Sequence, residues 1–349
     1  MGVMVEMKKK ILITGGAGFV GTNFVNYLME KYPDYELIIL DALTYAGSLD
    51  NFSTSLKESA RFTFHCGDVR DIGLVLDLVR QADVVIHFAA ETHVARSIYE
   101  DRRFFETDVL GTQSVANAVL KNKEHIELFI HISTSEVYGT ALRRPMSEEH
   151  PLNPISPYAA AKAGADRLVY SYWSTYEIPA VILRPFNQYG PYQHLEKVVP
   201  RFITSALLGE PLTIHGSGEA RRDWLHVHDT CARIDLILHA DREKVIGEVF
   251  NAGSGFDLDI LSIAKMVLDM VGKPETLISF MDDRPGQVQH HIASTTKAEK
   301  ILGMKPGRGF KEGLAQTIRW YADHRKWWER LLPMRRVPIL GKNGDREYY

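Results

Sequence analysis

The residues best equipped for chemistry in this chain are a tyrosine, a lysine and a glutamate. Tyr158 and Lys162 stand four apart in S-P-Y-A-A-A-K-A-G-A-D-R-L, a strongly helical stretch, so both side chains project from one helix face. A phenol beside an ammonium suits acid–base work, because the positive charge favours tyrosinate and brings the phenol's pKa toward working pH. The spacing alone carries little weight, since helices combine Tyr and Lys by chance. Its company carries more. A β-type run, Leu128 to Ser133, leads into Ser133-Thr134-Ser135-Glu136, which places hydroxyls and a carboxylate just ahead of the pair. Ser133 or Thr134 can share a proton with Tyr158 and a substrate hydroxyl.

Such groups need a frame, and the start of the chain supplies one. Ile11-Leu12-Ile13 is a short apolar β-type run that feeds a turn with glycines at 15, 16, 18 and 21, and a helix-like pattern follows through Phe24, Val25 and Leu28. Glycines are required where a backbone turns sharply and approaches a pyrophosphate, whose charge then rests on the amides of a helix N-terminus. A second apolar run, Glu36 to Leu40, ends in Asp41, twenty residues beyond Gly21, where a carboxylate accepts hydrogen bonds from an adenosine ribose. Strand, turn, helix and acid together predict a dinucleotide site, with Gly15, Gly18, Phe19, Val20, Gly21 and Asp41 in contact with the cofactor. Asp41 would repel a 2′-phosphate, which selects NAD over NADP. The nicotinamide then lies at the carboxyl edge of the strands, beside Ser133, Tyr158 and Lys162, and its positive ring adds to the effect of Lys162.

Strand-like and helix-like runs alternate through the first half: Phe62 to His65, Val84 to Phe88, Leu128 to Ser133 and Ala180 to Leu183, separated by helical patterns near 71–80, 101–121 and 157–176. This alternation predicts an α/β fold, a doubly wound parallel Rossmann sheet with a smaller C-terminal α/β substrate domain. The first domain is expected over 1–190, with 221–255 returning to it. The second is expected from 191–220 and 256–332, packed over the carboxyl ends of the strands, and 333–349 reads as a surface tail. Trp327 and Trp328 are expected to anchor the last helix in an apolar groove.

Composition narrows the function classes. With 349 residues, 45% hydrophobic and 24% charged, and a formal net charge of −3, the chain is an ordinary globular protein with no basic surplus for nucleic acid or a membrane surface. No apolar run approaches the ~18 residues of a membrane span, and the N-terminus lacks a signal-peptide core, which predicts a cytoplasmic protein. Two cysteines, Cys66 and Cys231, exclude a disulfide framework. The fourteen histidines lack the H-x-x-x-H spacing of a helical metal site, so no metal is expected.

The fingerprint, Tyr158 and Lys162 resemble the extended short-chain dehydrogenase/reductase family, and longer strings resemble its nucleotide-sugar 4,6-dehydratase branch, most of all the dTDP-glucose enzymes. They are D-A-L-T-Y-A-G-S-L-D-N at 41–51, A-A-E-T-H-V-A-R-S at 89–97, S-T-S-E-V-Y-G at 133–139, N-Q-Y-G-P-Y-Q-H-L-E-K at 187–197, R-R-D-W-L-H-V-H-D at 221–229 and D-R-P-G at 283–286. The resemblance implies that Asp68 and Val69 flank the adenine, that Ala89 and Ala90 line the pyrophosphate, that Asn187 and Lys197 hold a nucleotide sugar, and that Arg222 binds its diphosphate. It places His93 and Asn251 on the substrate side as well, and implies a homodimer packed through the helices at 101–121 and 157–176. Two departures stand out. Ser135 occupies the place of the aspartic acid that protonates the leaving hydroxyl in the dTDP-glucose enzymes, so that Ser-Glu here resembles GDP-mannose 4,6-dehydratases and UDP-glucuronate decarboxylases. Gln287-Val288-Gln289-His290-His291 follows D-R-P-G where a His and a Tyr usually help hold the diphosphate.

The reading expected from these residues is NAD-dependent dehydration of a nucleoside-diphosphate hexose to a 4-keto-6-deoxy sugar. Tyr158 takes the O4 proton and Glu136 the C5 proton. A serine relays a proton but is a poor acid, which leaves Glu136, a water or Tyr158 to complete the elimination. A decarboxylase or 4-epimerase acting on a hexuronate shares the first oxidation. A non-catalytic NAD-binding regulator would predict loss of Tyr158, Lys162 or Glu136, and all three are present.

Overall fold

A computed structural model of the chain describes residues 9–282, 288–305, 307–340 and 346–348, the last few by backbone alone. The D-R-P-G string at 283–286, Gln287 and Lys8 lie outside the described residues. In chain order the strands are β1 (Lys10–Thr14), β2 (Glu36–Asp41), β3 (Phe62–Cys66), β4 (Val84–His87), β5 (Leu128–Ile132), β6 (Ala180–Pro185), β7 (Asn187–Tyr189), β8 (Leu212–His215), β9 (Arg221–His226), β10 (Val249–Ala252), β11 (Asp257–Asp259) and β12 (Ile278–Met281).

Seven of them form one parallel sheet in the order β10-β6-β5-β4-β1-β2-β3. Their near-continuous Val, Ile and Leu runs fit a sheet buried on both faces. Successive residues point to opposite faces: Ile11 and Ile13 pack with Phe24, Val25 and Leu28 of the helix Phe19–Lys31, and with Ile234 and Ile237 of the helix Val227–His239. Leu12 packs on the other face with Val75 and Leu78 (helix Ile72–Val79), Val115 and Val119 (helix Thr112–Lys121) and Val169 (helix Pro157–Tyr176). The chain runs outward from β1 to β3 and then crosses to β4 on the other side of β1. That reversal opens a crevice at the carboxyl ends of β1 and β4, the place where such sheets bind ligands.

Beyond residue 186, β7 pairs with β9 and β9 with β11 in a separate three-stranded sheet, while β8 pairs with β12. A third core, built around Phe202, Leu212, Ile263, Leu314, Tyr321 and Trp328, holds this part together. The segment 221–255 therefore splits between two layers: β9 joins the smaller sheet, while the helix Val227–His239, Val245 and β10 pack with the main one. Trp328 is buried and donates to the Tyr321 carbonyl (2.7 Å), and Trp327 packs against Tyr192 and Trp320. The segment expected to be a surface tail is instead tied down in its first part. Arg335 pairs with Glu210 (2.6 Å), Val337 is fully buried beside Ala95, and Pro338–Leu340 lies on the helix Val94–Tyr99 and pairs with Arg346–Tyr348. Val337 supplies the apolar side chain that docks, against Ala95.

Candidate active site

The turn after β1 is shaped by what cannot fit in it. Gly15 adopts φ +70°, and a Cβ there would fall 2.5 Å from the Ala89 amide nitrogen, so the turn lies directly against the end of β4. A Cβ on Gly21 would meet the Gly15 carbonyl at 2.3 Å. The helix Phe19–Lys31 starts at Gly18, which has no side chain to cap it, and its first-turn amides remain for an anion. At the end of β2, Asp41 accepts from Ala17 N (2.9 Å) and Leu43 N (2.8 Å). The carboxylate thus braces the glycine turn and also faces the crevice, and burial raises its pKa against those two amides. This uncapped, side-chain-free cradle beside an acid fits the pyrophosphate and ribose of NAD.

One cleft of about 450 Å³ gathers almost every residue singled out by sequence. Gly15, Gly18, Phe19, Val20, Gly21, Asp41, Asp68, Val69, Ala89 and Ala90 line its cofactor side, and His93, Asn187, Lys197 and Arg222 line the other. Ser133, Thr134, Ser135, Glu136, Tyr158 and Lys162 lie along the wall that joins them. Asp68 is gripped by Arg70 (2.7 Å), His93 caps the helix Val94–Tyr99, and Lys197 donates to the Thr92 carbonyl (2.7 Å).

Asn251 is the exception. Its side chain lies inside the protein, accepting from the Tyr138 hydroxyl (2.8 Å) and donating to the Met146 carbonyl (3.0 Å), and it does not line the cleft. The sugar-side assignment is corrected: both ends of this amide are committed to holding β10 against the 138–148 loop.

The catalytic helix is set by its start. Ser156 Oγ accepts from Ala159 N (3.2 Å), Pro157 occupies the first turn, and Tyr158 and Lys162 come out buried on one face. Burial holds the Tyr158 phenol above its ordinary pKa; the Thr134 hydroxyl, hydrogen-bonded to it, pulls the other way, while Asp108 and Glu136 add to the rise. Of the two hydroxyls left open by sequence, Thr134 is the one that acts on the Tyr158 phenol. Ser133 donates instead to Asp166 (2.7 Å), whose carboxylate is held well below the usual range by Arg184 and Arg167 despite burial. Lys162 donates to the Ile132 carbonyl (2.8 Å); burial lowers its pKa, and Asp108 and Asp166 oppose that fall.

Asp108 is a buried carboxyl acting on Tyr158 and Lys162 that sequence reasoning did not single out. It lies in a π-helical stretch, Phe105–Gly111, inside the expected 101–121 helix. The wider turn presents it inward, where Oδ1 accepts from Glu91 N (2.7 Å) and Oδ2 has no partner among the described residues. Burial pushes this carboxyl up to about 7, against the attraction of Lys162.

A parallel sheet with a dinucleotide cradle at its switch point and a Tyr–Lys pair at its carboxyl edge defines a nicotinamide-dependent enzyme of the short-chain dehydrogenase/reductase type. Within that class the chain belongs to the GDP-mannose 4,6 dehydratase family, whose model matches residues 12–317. It is 45% identical over 311 residues to the low-salt glycan biosynthesis protein Agl12 of Haloferax volcanii, covering 89% of this chain and 98% of that one. It is 40% identical over 324 residues to a dTDP-glucose 4,6-dehydratase of an Actinoplanes species, covering 91% and 99%. The crystal structure of DesIV, a dTDP-glucose 4,6-dehydratase from Streptomyces venezuelae with NAD and TYD bound, superposes with a TM-score of 0.87 at 40% identity, over 92% of this chain and 99% of that one.

Proposed function

We propose that this protein dehydrates a nucleoside-diphosphate hexose to the 4-keto-6-deoxy sugar, with NAD as its cofactor. The observation that carries the reading is the single cleft in which Tyr158, with Thr134 on its hydroxyl, and Glu136 stand between the dinucleotide cradle and the Asn187, Lys197 and Arg222 wall. Bound NAD supplies hydride acceptance from C4 and its return at C6. Tyr158, as phenolate, takes the O4 proton, and Thr134 stabilises that phenolate. Lys162 keeps positive charge beneath the site, held in place by the Ile132 carbonyl. The C4 ketone acidifies C5–H, and Glu136 removes that proton while O6 departs beside Ser135. Lys197 and Arg222 place positive charge where the substrate diphosphate lies, with Asn187 and His93 nearby. The layer built on β7–β9 and β11 closes over the cleft and keeps water from the 4-keto sugar.

No helix among the described residues is long and apolar enough to cross a membrane. We place the protein in the cytoplasm as a homodimer. Phe105 (42% exposed) and Leu110 (57%) on one helical segment, and Tyr170 and Tyr176 on the helix Pro157–Tyr176, support packing of these faces on a second copy.

The test follows hydrogen from C4. With dTDP-, UDP-, GDP- and CDP-hexoses deuterated at C4, the product is expected to be lighter by one water and to carry the label at C6. In Glu136→Gln, C4 oxidation is expected to persist while the 4-keto hexose and the absorbance of reduced cofactor accumulate. Label returned to C4 would mean an epimerase. Carbon dioxide from a hexuronate, with no water loss from any hexose, would mean a decarboxylase and end the dehydratase reading.

A further inference from the structure

Departure of the C6 hydroxyl needs a proton at O6, and Ser135, which lines the cleft beside Glu136, holds its own proton far too tightly to release it unaided. Behind Ser135, outside the cleft lining, lies His291, fully buried. Its Nε2 is 2.5 Å from the Gly139 carbonyl oxygen. A carbonyl only accepts, so Nε2 carries the ring proton and Nδ1 of the neutral ring is a lone pair. That lone pair faces two groups, Ser135 Oγ at 3.5 Å and Glu136 Oε1 at 4.0 Å. The ring is well braced. His291 N donates to the Arg221 carbonyl (3.1 Å), Met146 N donates to the Ile292 carbonyl (2.8 Å), and Phe186 stands edge-on at 5.9 Å. Burial, with the Arg222 and His150 charges, favours the neutral imidazole, and the Glu136 carboxylate opposes them.

We propose that His291 closes a proton circuit across the elimination, passing to Ser135 the proton that Glu136 takes from C5 while Ser135 gives its own to the departing O6. The proposal rests on the dehydratase reading above. The C5–H electron pair becomes the second bond between C5 and C6, the C6–O6 bond breaks with its electrons on oxygen, and O6 leaves as water with the Ser135 proton. Glu136 delivers the C5 proton to Nδ1, and the resulting imidazolium returns it to Ser135 Oγ. Carboxylate, imidazole and hydroxyl all end as they began, so the elimination itself consumes no outside acid; C5 regains a proton later, as hydride returns to C6. Glu136 keeps 18% of its side chain exposed on the cleft, which leaves it room to swing across the gap to Nδ1. His291 is thus a positioning and relay residue that acts through Ser135, in the place where a carboxylic acid would otherwise protonate O6 directly.

The test is a double-mutant cycle on the NAD-loaded protein. His291→Gln keeps a donor for the Gly139 carbonyl and deletes only the group at Nδ1; Ser135→Ala deletes the delivering hydroxyl. Each is expected to leave C4 oxidation, melting temperature and bound NAD largely unchanged, and to slow water loss by about 10²-fold or more, the usual share of a positioned proton donor. The 4-keto hexose accumulates in both. The double variant is expected to be no slower than the slower single one, because the two residues serve one proton path. Water loss at the native rate in either single variant, a multiplicative loss in the double, or an equal slowing of oxidation and elimination would overturn the relay. If His291→Gln does not fold, Ser135→Ala decides by its rate of water loss. A native protein that oxidises no hexose at C4 overturns the dehydratase reading and the relay with it; a native dehydratase whose variants behave otherwise than stated overturns the relay alone.

Discussion

The two edges of the cleft are built on opposite plans. The cofactor edge is local: Gly15, Gly18, Gly21 and Asp41 come from one β–turn–α–β unit, and its geometry is fixed by backbone amides and by the absence of side chains. The elimination edge is assembled from far apart, since Ser135 meets His291 across 156 positions and Arg222 arrives from a different sheet. The first edge tolerates almost no added atom and depends little on any one functional group. The second tolerates changes of shape and depends on individual protons.

The sharpest way to break this contrast is Tyr158→Phe. Losing one oxygen there is expected to slow C4 oxidation at least 10²-fold, followed by the cofactor absorbance in a single turnover, with the melting temperature unchanged. Oxidation at the native rate would make Tyr158 a packing residue. On the cofactor edge the effect is smaller and graded. Asp41→Ala is expected to narrow the preference for NAD over NADP by ~1–3 kcal/mol, the scale of a lost charged hydrogen bond, and to weaken both cofactors because Ala17 N and Leu43 N lose their acceptor. Titrating both dinucleotides decides this; an unchanged ratio would remove Asp41 from selection.

Asp108, fully buried and within electrostatic reach of Lys162 and Tyr158, makes a prediction in pH. Burial pushes its carboxyl up from the ordinary 3.8 to about 7, against the attraction of Lys162. The native state therefore holds a proton that the unfolded chain has released, so stability falls as pH rises from 3.8 to about 7 and the full cost of the buried charge is present above that. Asp108→Asn removes the charge. It is expected to raise the melting temperature more at pH 8 than at pH 5, by about 1–2 °C for each kcal/mol regained. An equal shift at both values would mean that Asp108 is ionised throughout. The smallest effect is expected from Trp327→Phe, which deletes the indole N–H that donates to Asn51 Oδ1 (2.8 Å). Since Asn51 Nδ2 in turn holds the Ala17 carbonyl (2.8 Å), NAD affinity is expected to fall by about 2–10-fold, measured by calorimetry.

What sequence revealed follows the same division. The glycine turn, the alternating runs and the helix around Tyr158 and Lys162 were readable because each is written in short-range periodicity, and the helix spans Pro157–Tyr176 as its pattern implies. Asp108 was not, since a π-turn hidden inside a regular helical pattern changes which residues face inward without altering local composition. His291 was seen only as a departure from a family string; its role depends on Gly139 and Ser135, which no spacing connects. Asn251 misled because a short polar residue at a strand end fits a binding site or a buried brace equally well until Tyr138 and Met146 are in place. Val337 misled because so short a segment shows no periodicity, although its side chain had a place to fill beside Ala95.

The bridge from Trp327 through Asn51 to Ala17 also has a consequence in time. A ribosome makes the dinucleotide turn first and the indole that steadies it last, with nearly the whole chain in between. The dinucleotide unit can fold on emergence, yet the indole that braces it follows Asn51 by 276 positions. The cofactor's hold thus gains its last brace only after Trp327 has been made and docked.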